Sequence, residues 1–461
     1  MGKSSTPRSV RRFSAHASLA AIGVLLRQHD VFGPIRQGVR IAQKTVKHTP
    51  LDTLYDGFMT ILMGAHGLVE INTRLRSDPA LQAALGRKAC AEQSVVQQTL
   101  DACTPENVAQ MYAALDVIYR RQAVGYRHDY AHAWQLLDVD MSGWPCGPKA
   151  AFASKGYFAN QRNRRGRQIG RVLASHYDEI VADRLFPGTT QLATALPTLV
   201  EAAERTLELD ADKRARTLIR LDAGGGTVED VNWLLRRGYA IHGKDYSGQR
   251  AQALAASVTQ WVDDPRVPGR QVGWVTQETT AYVRSVRRIA VRTRKKNGQW
   301  GVGVLLSVLT PHDVITLTHQ PIARVNAPTA VLLAYVYFYD QRSGGVETAF
   351  KEDKQGLGLT KRNKKRFAAQ QMVLALSTLA HNVLVWTRTW LAARVPALAR
   401  YGLLRLVRDV LHVSGLVVFD PATGRVCRLV LNAAAPVAGG LVAALRVLLA
   451  PAQVAVTLGE T

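Results

Sequence analysis

Residues 217–226 read Thr-Leu-Ile-Arg-Leu-Asp-Ala-Gly-Gly-Gly, and the fold turns on how they are read. Residues 217–221 form a short apolar, partly β-branched run of the kind that makes a buried strand. It leads straight into Asp222 and then Gly224-Gly225-Gly226. Thr227 and Asp230 follow as a capping-box-like helix start, and Val228, Val231, Leu234 and Leu235 share the inner face of that helix. Residues 239–241 make the next strand. Strand, helix and strand in so little sequence predict a mixed α/β layer.

Working outward, residues 134–139 (WQLLDV) give another buried strand, ending in Asp138 and Asp140. Strand-like pieces follow at 168–173 and 179–184, then a helix at 192–207. Downstream, residues 283–292 and 300–309 flank Asn297-Gly298, a strong short hairpin signal, inside a β-rich insertion. Helices resume at 330–340, 346–354 and 363 to about 394. The tail pairs strands near 415–419 and 426–431 before a final helix. Before residue 129 the spacing is helical, as in Leu54, Phe58, Ile61 and Leu62, and Thr104-Pro-Glu-Asn opens a later helix. The expected domains are a basic helical one at 1–128, an α/β core at 129–245, the insertion at 246–325, the rest of the core at 326–400, and an α/β tail at 401–461.

Lys plus Arg number 59 against 35 Asp plus Glu, a net charge of +24. Such a surplus calls for a polyanionic partner, nucleic acid first and an anionic membrane surface second. The apolar stretches 372–386 and 433–450 are interrupted, by Ser377, Thr378, His381 and Asn382 in one and Arg446 in the other. Both read as buried or amphipathic helices, so no membrane partner is expected. The basic N-terminus (Lys3, Arg8, Arg11, Arg12) precedes no apolar core with a cleavage site, and secretion is not expected. Cys90, Cys103, Cys146 and Cys427 form no CxxC pair. Neither a zinc site nor a disulfide framework is expected, and a reducing cytoplasm fits.

Three acids stand out by position. Asp140 ends one predicted strand, Asp222 ends another just before the glycine run, and Glu347 sits on a helix beyond the insertion. Two strand-end acids and one helical acid suit a pair of divalent ions held about 3.5–4 Å apart for phosphoryl transfer. Asp138 alternates with Asp140 on one strand face, so either can be the first ligand, with Asp140 preferred. The glycine run lacks the Lys-Ser/Thr ending of a nucleotide-binding loop.

The segment Tyr339-Asp-Gln-Arg342-Ser-Gly-Gly-Val-Glu347-Thr-Ala-Phe-Lys-Glu-Asp-Lys354 resembles the Tyr…Arg…Glu…Lys signature of bacterial insertion-sequence transposases. The gaps from Tyr339 to Arg342 and from Glu347 to Lys354 match that signature, while the gap from Arg342 to Glu347 is one residue longer. Residues 136–142 (LLDVDMS) and Leu221-Asp222-Ala-Gly are similar to the two catalytic strands of such enzymes, and the likeness spans about residues 130–395. The resemblance implies a DDE-class enzyme on an RNase H-like fold with a β-rich insertion and a helical DNA-binding N-terminus. It also implies that Asp140, Asp222 and Glu347 bind two Mg²⁺ ions, with Mn²⁺ able to substitute. Arg342 and Lys354 would reach DNA phosphate, Lys354 from the same helix face as Glu347, and Tyr339 would meet the terminal nucleotide. The implied activity is hydrolysis at element ends followed by strand transfer into target DNA. Its partners would be double-stranded terminal inverted repeats and target DNA, handled by a homodimer in the bacterial cytoplasm, at the nucleoid when bound to DNA. A catalytically silent DNA-binding derivative and a related nuclease without strand transfer are the alternatives.

Two basic runs are candidate DNA contacts. Residues 284–296 carry seven cations and no acid, among them Arg288, Arg292 and Lys295. Residues 361–366, which include Lys361 and Lys365, open the long helix, where cations oppose the helix dipole and invite an external anion. The stretch Arg162, Arg164, Arg165, Arg167 and Arg171 reads as a third basic loop. Trp233, Trp274, Trp300 and His381 read as core residues, and residues 93–100 with 106–112 have lengths suited to a helix-turn-helix.

Overall fold

A computed structural model describes residues 10–44, 47–156, 158, 161 and 163–460. Lys3, Arg8 and Arg162, named above among the basic residues, lie outside the described residues. The chain divides into two compact units: Val124–Pro145 with Phe152–Phe350, and the chain up to Ala123 with Cys146–Ala151 and everything from Lys351 onward.

The first of these units is built on one mixed sheet. Its strands are β1 (Gln135–Pro145), β2 (Arg165–Ala174), β3 (Glu179–Pro187), β4 (Thr217–Leu221), β5 (Ala240–Lys244), β6 (Arg270–Trp274), β7 (Arg287–Arg294) and β8 (Trp300–Ser307). β1, β2 and β3 form an antiparallel meander, and β4 and β5 join the other edge of β1 in parallel. The spatial order β3-β2-β1-β4-β5 is that of an RNase H-like core. Parallel neighbours need crossovers, and the helices α1 (Leu192–Leu207) and α2 (Val228–Arg236) provide them. Thr227 caps α2 by accepting from the Asp230 backbone N–H at 3.0 Å.

The stretch between β5 and the next long helix continues the same sheet, since β8 pairs with β5, β7 with β8, and β6 with β7. Gly298, at the tip between β7 and β8, has φ +80°, the left-handed conformation such a turn requires. Helix α3 (Pro328–Asp340) covers one sheet face. Its Leu332, Tyr335 and Phe338 share a core with Leu136, Leu218, Ile289 and Leu305. Asp138 and Asp140 alternate with Leu137 and Val139, so they project to the same face as Leu136.

The second unit is mainly helical. It includes Ala17–Gln28, Pro50–Leu62, Gln93–Ala102, Pro105–Gln122 and the 26-residue helix Phe367–Ala392. That last helix is long and apolar enough to cross a membrane by length and composition, yet its apolar window is 94% buried within the fold. A small sheet pairs Val10–Ser14 with Gly415–Phe419, then Val426–Asn432, then Ala455–Gly459.

Two local expectations change. The long helix begins at Phe367, after an extended Arg366, so the basic residues 361–366 precede it and do not form its first turn. The helix that carries Glu347, α4 (Val346–Lys351), gives way to a π-helical turn at Glu352–Gly356. The spacing that would put Lys354 on the face of Glu347 assumes an unbroken α-helix, and a wider turn lies between the two residues. Lys354 belongs to the helical unit.

Candidate active site

The register of the sheet sets the first two acids side by side. β1 and β4 run parallel with Asp138 opposite Arg220 and Val139 opposite Leu221. Continued one step, that register sets Asp140 beside Asp222. Asp222 follows the last residue of β4, but Asp140 lies midway along β1, which runs on to Pro145 and does not end at Asp140 as the sequence suggests. Asp222 then turns the chain, its Oδ1 accepting from the Gly224 backbone N–H at 2.8 Å. The glycine run has a packing reason: a Cβ on Gly226 would fall 1.9 Å from the Lys244 carbonyl oxygen of β5.

Glu347 reaches this corner from the start of α4, with its side chain 59% exposed. Between the acids lies Arg342, only 4% exposed. Its Nη2 is 3.2 Å from Asp140 Oδ2 and donates to the Val139 carbonyl at 3.1 Å, and its Nη1 is 3.9 Å from Glu347 Oε1. Asp140 and Tyr339 each feel the charges of Asp222, Glu347 and Arg342. Burial pushes the Asp140 carboxyl up to about 6; Arg342 pulls it down, and Asp222 and Glu347 push it further up. Burial also raises the Tyr339 phenol to about 12. Tyr339 lines a cavity of about 480 Å³ together with Lys244, Arg270, Lys295 and Trp300.

Asp138 has a different environment. It is fully buried, and Arg220 grips it through Nε (2.6 Å) and Nη2 (2.8 Å), with the Ser175 hydroxyl donating to Oδ2. Both oxygens of Asp138 are thus held by these donors, whereas Asp140 faces Arg342. Arg220 and Ser175 were not singled out from the sequence. Only the β1–β4 register, with Arg220 opposite Asp138, identifies the pair.

Several predicted DNA contacts are engaged inside the fold. Arg292 lies between the Trp261 and Trp300 rings, 4.0 and 4.6 Å from their centroids, and donates to Gln271 Oε1 at 2.8 Å. Arg288 donates to the Gln277 carbonyl. Lys295, at the hairpin tip, is exposed. In the third basic stretch, Arg171 is buried on β2 and binds Asp183, its partner across the β2–β3 register, through two hydrogen bonds. Arg362 and Lys364 are also buried, whereas Lys361 and Lys365 of the helical unit are exposed. Trp274 packs edge-on against Tyr335, and His381 is hydrogen-bonded to Asp353 at 2.8 Å.

The donor set fits a hard divalent cation, since all three groups are carboxylates and their mutual repulsion favours added positive charge. Among the described residues no three His, Cys, Asp or Glu side chains close on a single metal position.

A family model described as a transposase DDE domain matches residues 134–383, more than half of the 461-residue chain. The solved piggyBac transposase synaptic complex with hairpin DNA is similar at a TM-score of 0.46 and 14% identity, over 88% of this chain and 82% of that one. No curated protein matches. The family match spans the strand of Asp140, the turn of Asp222 and the helix of Glu347, and the chain belongs to the transposase DDE domain family.

Proposed function

We propose that this transposase moves an insertion sequence of a bacterial type by cut-and-paste, with Asp140, Asp222 and Glu347 as its metal-binding catalytic acids. The register that brings Asp140 beside Asp222, with Arg342 standing between Asp140 and Glu347, supports the reading. Bound to them, two Mg²⁺ or Mn²⁺ ions would supply charge stabilisation to the attacking and leaving oxygens.

The chain's own residues shape the rest. The β1–β4 register fixes Asp140 and Asp222, while the exposed Glu347 is free to close on them. The Arg220–Asp138 pair keeps the second carboxylate of β1 out of the site. Water attacks the phosphorus at an element end, and the 3′-oxygen leaves and takes up a proton. The resulting 3′-hydroxyl then attacks a target phosphodiester in line, and the target 3′-oxygen leaves with the proton that the hydroxyl gives up. Tyr339, with its ring beside the acids, would meet the terminal nucleotide. Lys295, Lys354, Lys361 and Lys365 would contact DNA phosphates, with Arg288 and Arg292 bracing the hairpin that carries Lys295. The basic helical N-terminal region would read the element ends, and two chains would join them.

The test is a cleavage and strand-transfer assay with Mg²⁺ and DNA carrying the element's own flanks. Asp140→Ala, Asp222→Ala and Glu347→Gln should each abolish both products and leave DNA binding intact. Cleavage by the Asp222→Ala chain at wild-type rate would overturn the assignment. Cleavage without strand transfer would make the enzyme a nuclease.

A further inference from the structure

We propose that Arg342 is the resident cation of the acidic site, and that its guanidinium and a divalent metal ion compete for Asp140 and Glu347. The inference rests on the reading of Asp140, Asp222 and Glu347 as metal ligands and adds an exchange step to it.

The observation behind it is a contrast between two arginines that serve one strand. Arg220 is built to stay: its Nε and Nη2 bind both oxygens of Asp138, and its Nη1 donates to the Phe338 carbonyl at 3.1 Å. Such a fork-to-fork pair is the strong form of the interaction. Arg342 makes a looser set. One nitrogen serves both Asp140 and the Val139 carbonyl, a second stands 3.9 Å from Glu347, and Nε is buried with no hydrogen-bond partner. A buried guanidinium with an unmet donor is retained mainly by charge, so it loses its hold when another cation neutralises the same carboxylates.

The positions agree with exchange. Arg342 is ion-paired with the first acid at 3.2 Å and lies 3.9 Å from the last, whose side chain is 59% exposed. Of the two glycines between Arg342 and Glu347, Gly344 has nothing within 4 Å of a Cβ built on it, while Gly345 packs against Asp138. A divalent ion on Asp140 repels the guanidinium at short range in a poorly solvated corner. Once displaced, Arg342 lies beside the reacting centre with its charge available to a DNA phosphate, so metal loading would prime DNA engagement.

The test uses the full-length chain without DNA and measures Mn²⁺ binding by calorimetry. Arg342→Gln should bind Mn²⁺ about tenfold more tightly than wild type or better, and Arg342→Lys should stay near wild type. Equal or weaker binding by Arg342→Gln overturns the proposal, because Arg342 would then support the ligands and not compete with metal. Failure of wild type and Arg342→Gln alike to bind Mn²⁺ would overturn the metal-site reading as well. A second measurement needs no variant: modification of Arg342 by phenylglyoxal, followed by mass spectrometry. Mn²⁺ should accelerate it, and an unchanged or slower rate would overturn the proposal.

Discussion

Asp138 and Asp140 are two residues apart on one strand face, and their partners give them different tasks. The buried Arg220 neutralises Asp138 completely, so removing the guanidinium leaves a bare carboxylate in the core. Arg220→Gln should destabilise the unit by about 3–5 kcal/mol, measured by urea denaturation. A loss below about 1 kcal/mol would mean that water or another cation reaches Asp138. His242, fully buried on β5 against Phe338, is held down to about 3 by burial and by the nearby Arg220 charge. Its folded value lies below the ordinary 6.5, so its contribution to stability is complete above pH 6.5 and is lost as the pH falls toward 3. By pH 4 the loss should approach about 3 kcal/mol at most, and His242→Leu should flatten that acid limb in denaturation midpoints. An unchanged limb in the variant would assign the acid sensitivity elsewhere.

At the scale of elements, the turn after Asp222 is set by contact between backbones. Gly226 lies against the Lys244 carbonyl, which has no flexible end to yield. Gly226→Ala should therefore cost about 1–3 kcal/mol in stability and displace Asp222, while Gly248→Ala, with open space at its Cβ, should be neutral or slightly stabilising. Thermal melts of the two variants check this, and equal melting temperatures would contradict it. The strand, glycine turn and capped helix at 217–236 were legible because each signal is local: an apolar run, a glycine cluster, a Thr-x-x-Asp start. The hairpin at Asn297-Gly298 was legible for the same reason. Other features were not, because they depend on what lies across the fold. The partner of Asp138 is 82 residues away, fixed by strand register. The basic run at 284–296 reads as one cationic surface, yet Arg288 and Arg292 meet their partners only once the sheet has formed. The π-turn after Lys351 leaves no periodicity signature, so the face of Lys354 could not be read.

For the whole molecule, the surplus of 24 positive charges predicts DNA affinity governed by counterion release. Affinity should fall at least about tenfold between 50 and 200 mM salt, and Lys295→Ala with Lys296→Ala should flatten that slope. A slope unchanged by the double variant would remove the hairpin tip from the DNA interface. The acids need the opposite charge close at hand, and the fold supplies it as Arg342 within the sheet unit. The proposed catalysis depends above all on Asp140, Asp222 and Glu347 forming one cation-binding corner. Anomalous diffraction from crystals soaked in Mn²⁺ tests this most directly. It should reveal density among those three side chains. Stoichiometric Mn²⁺ bound at any other place, with the three carboxylates bare, would contradict it.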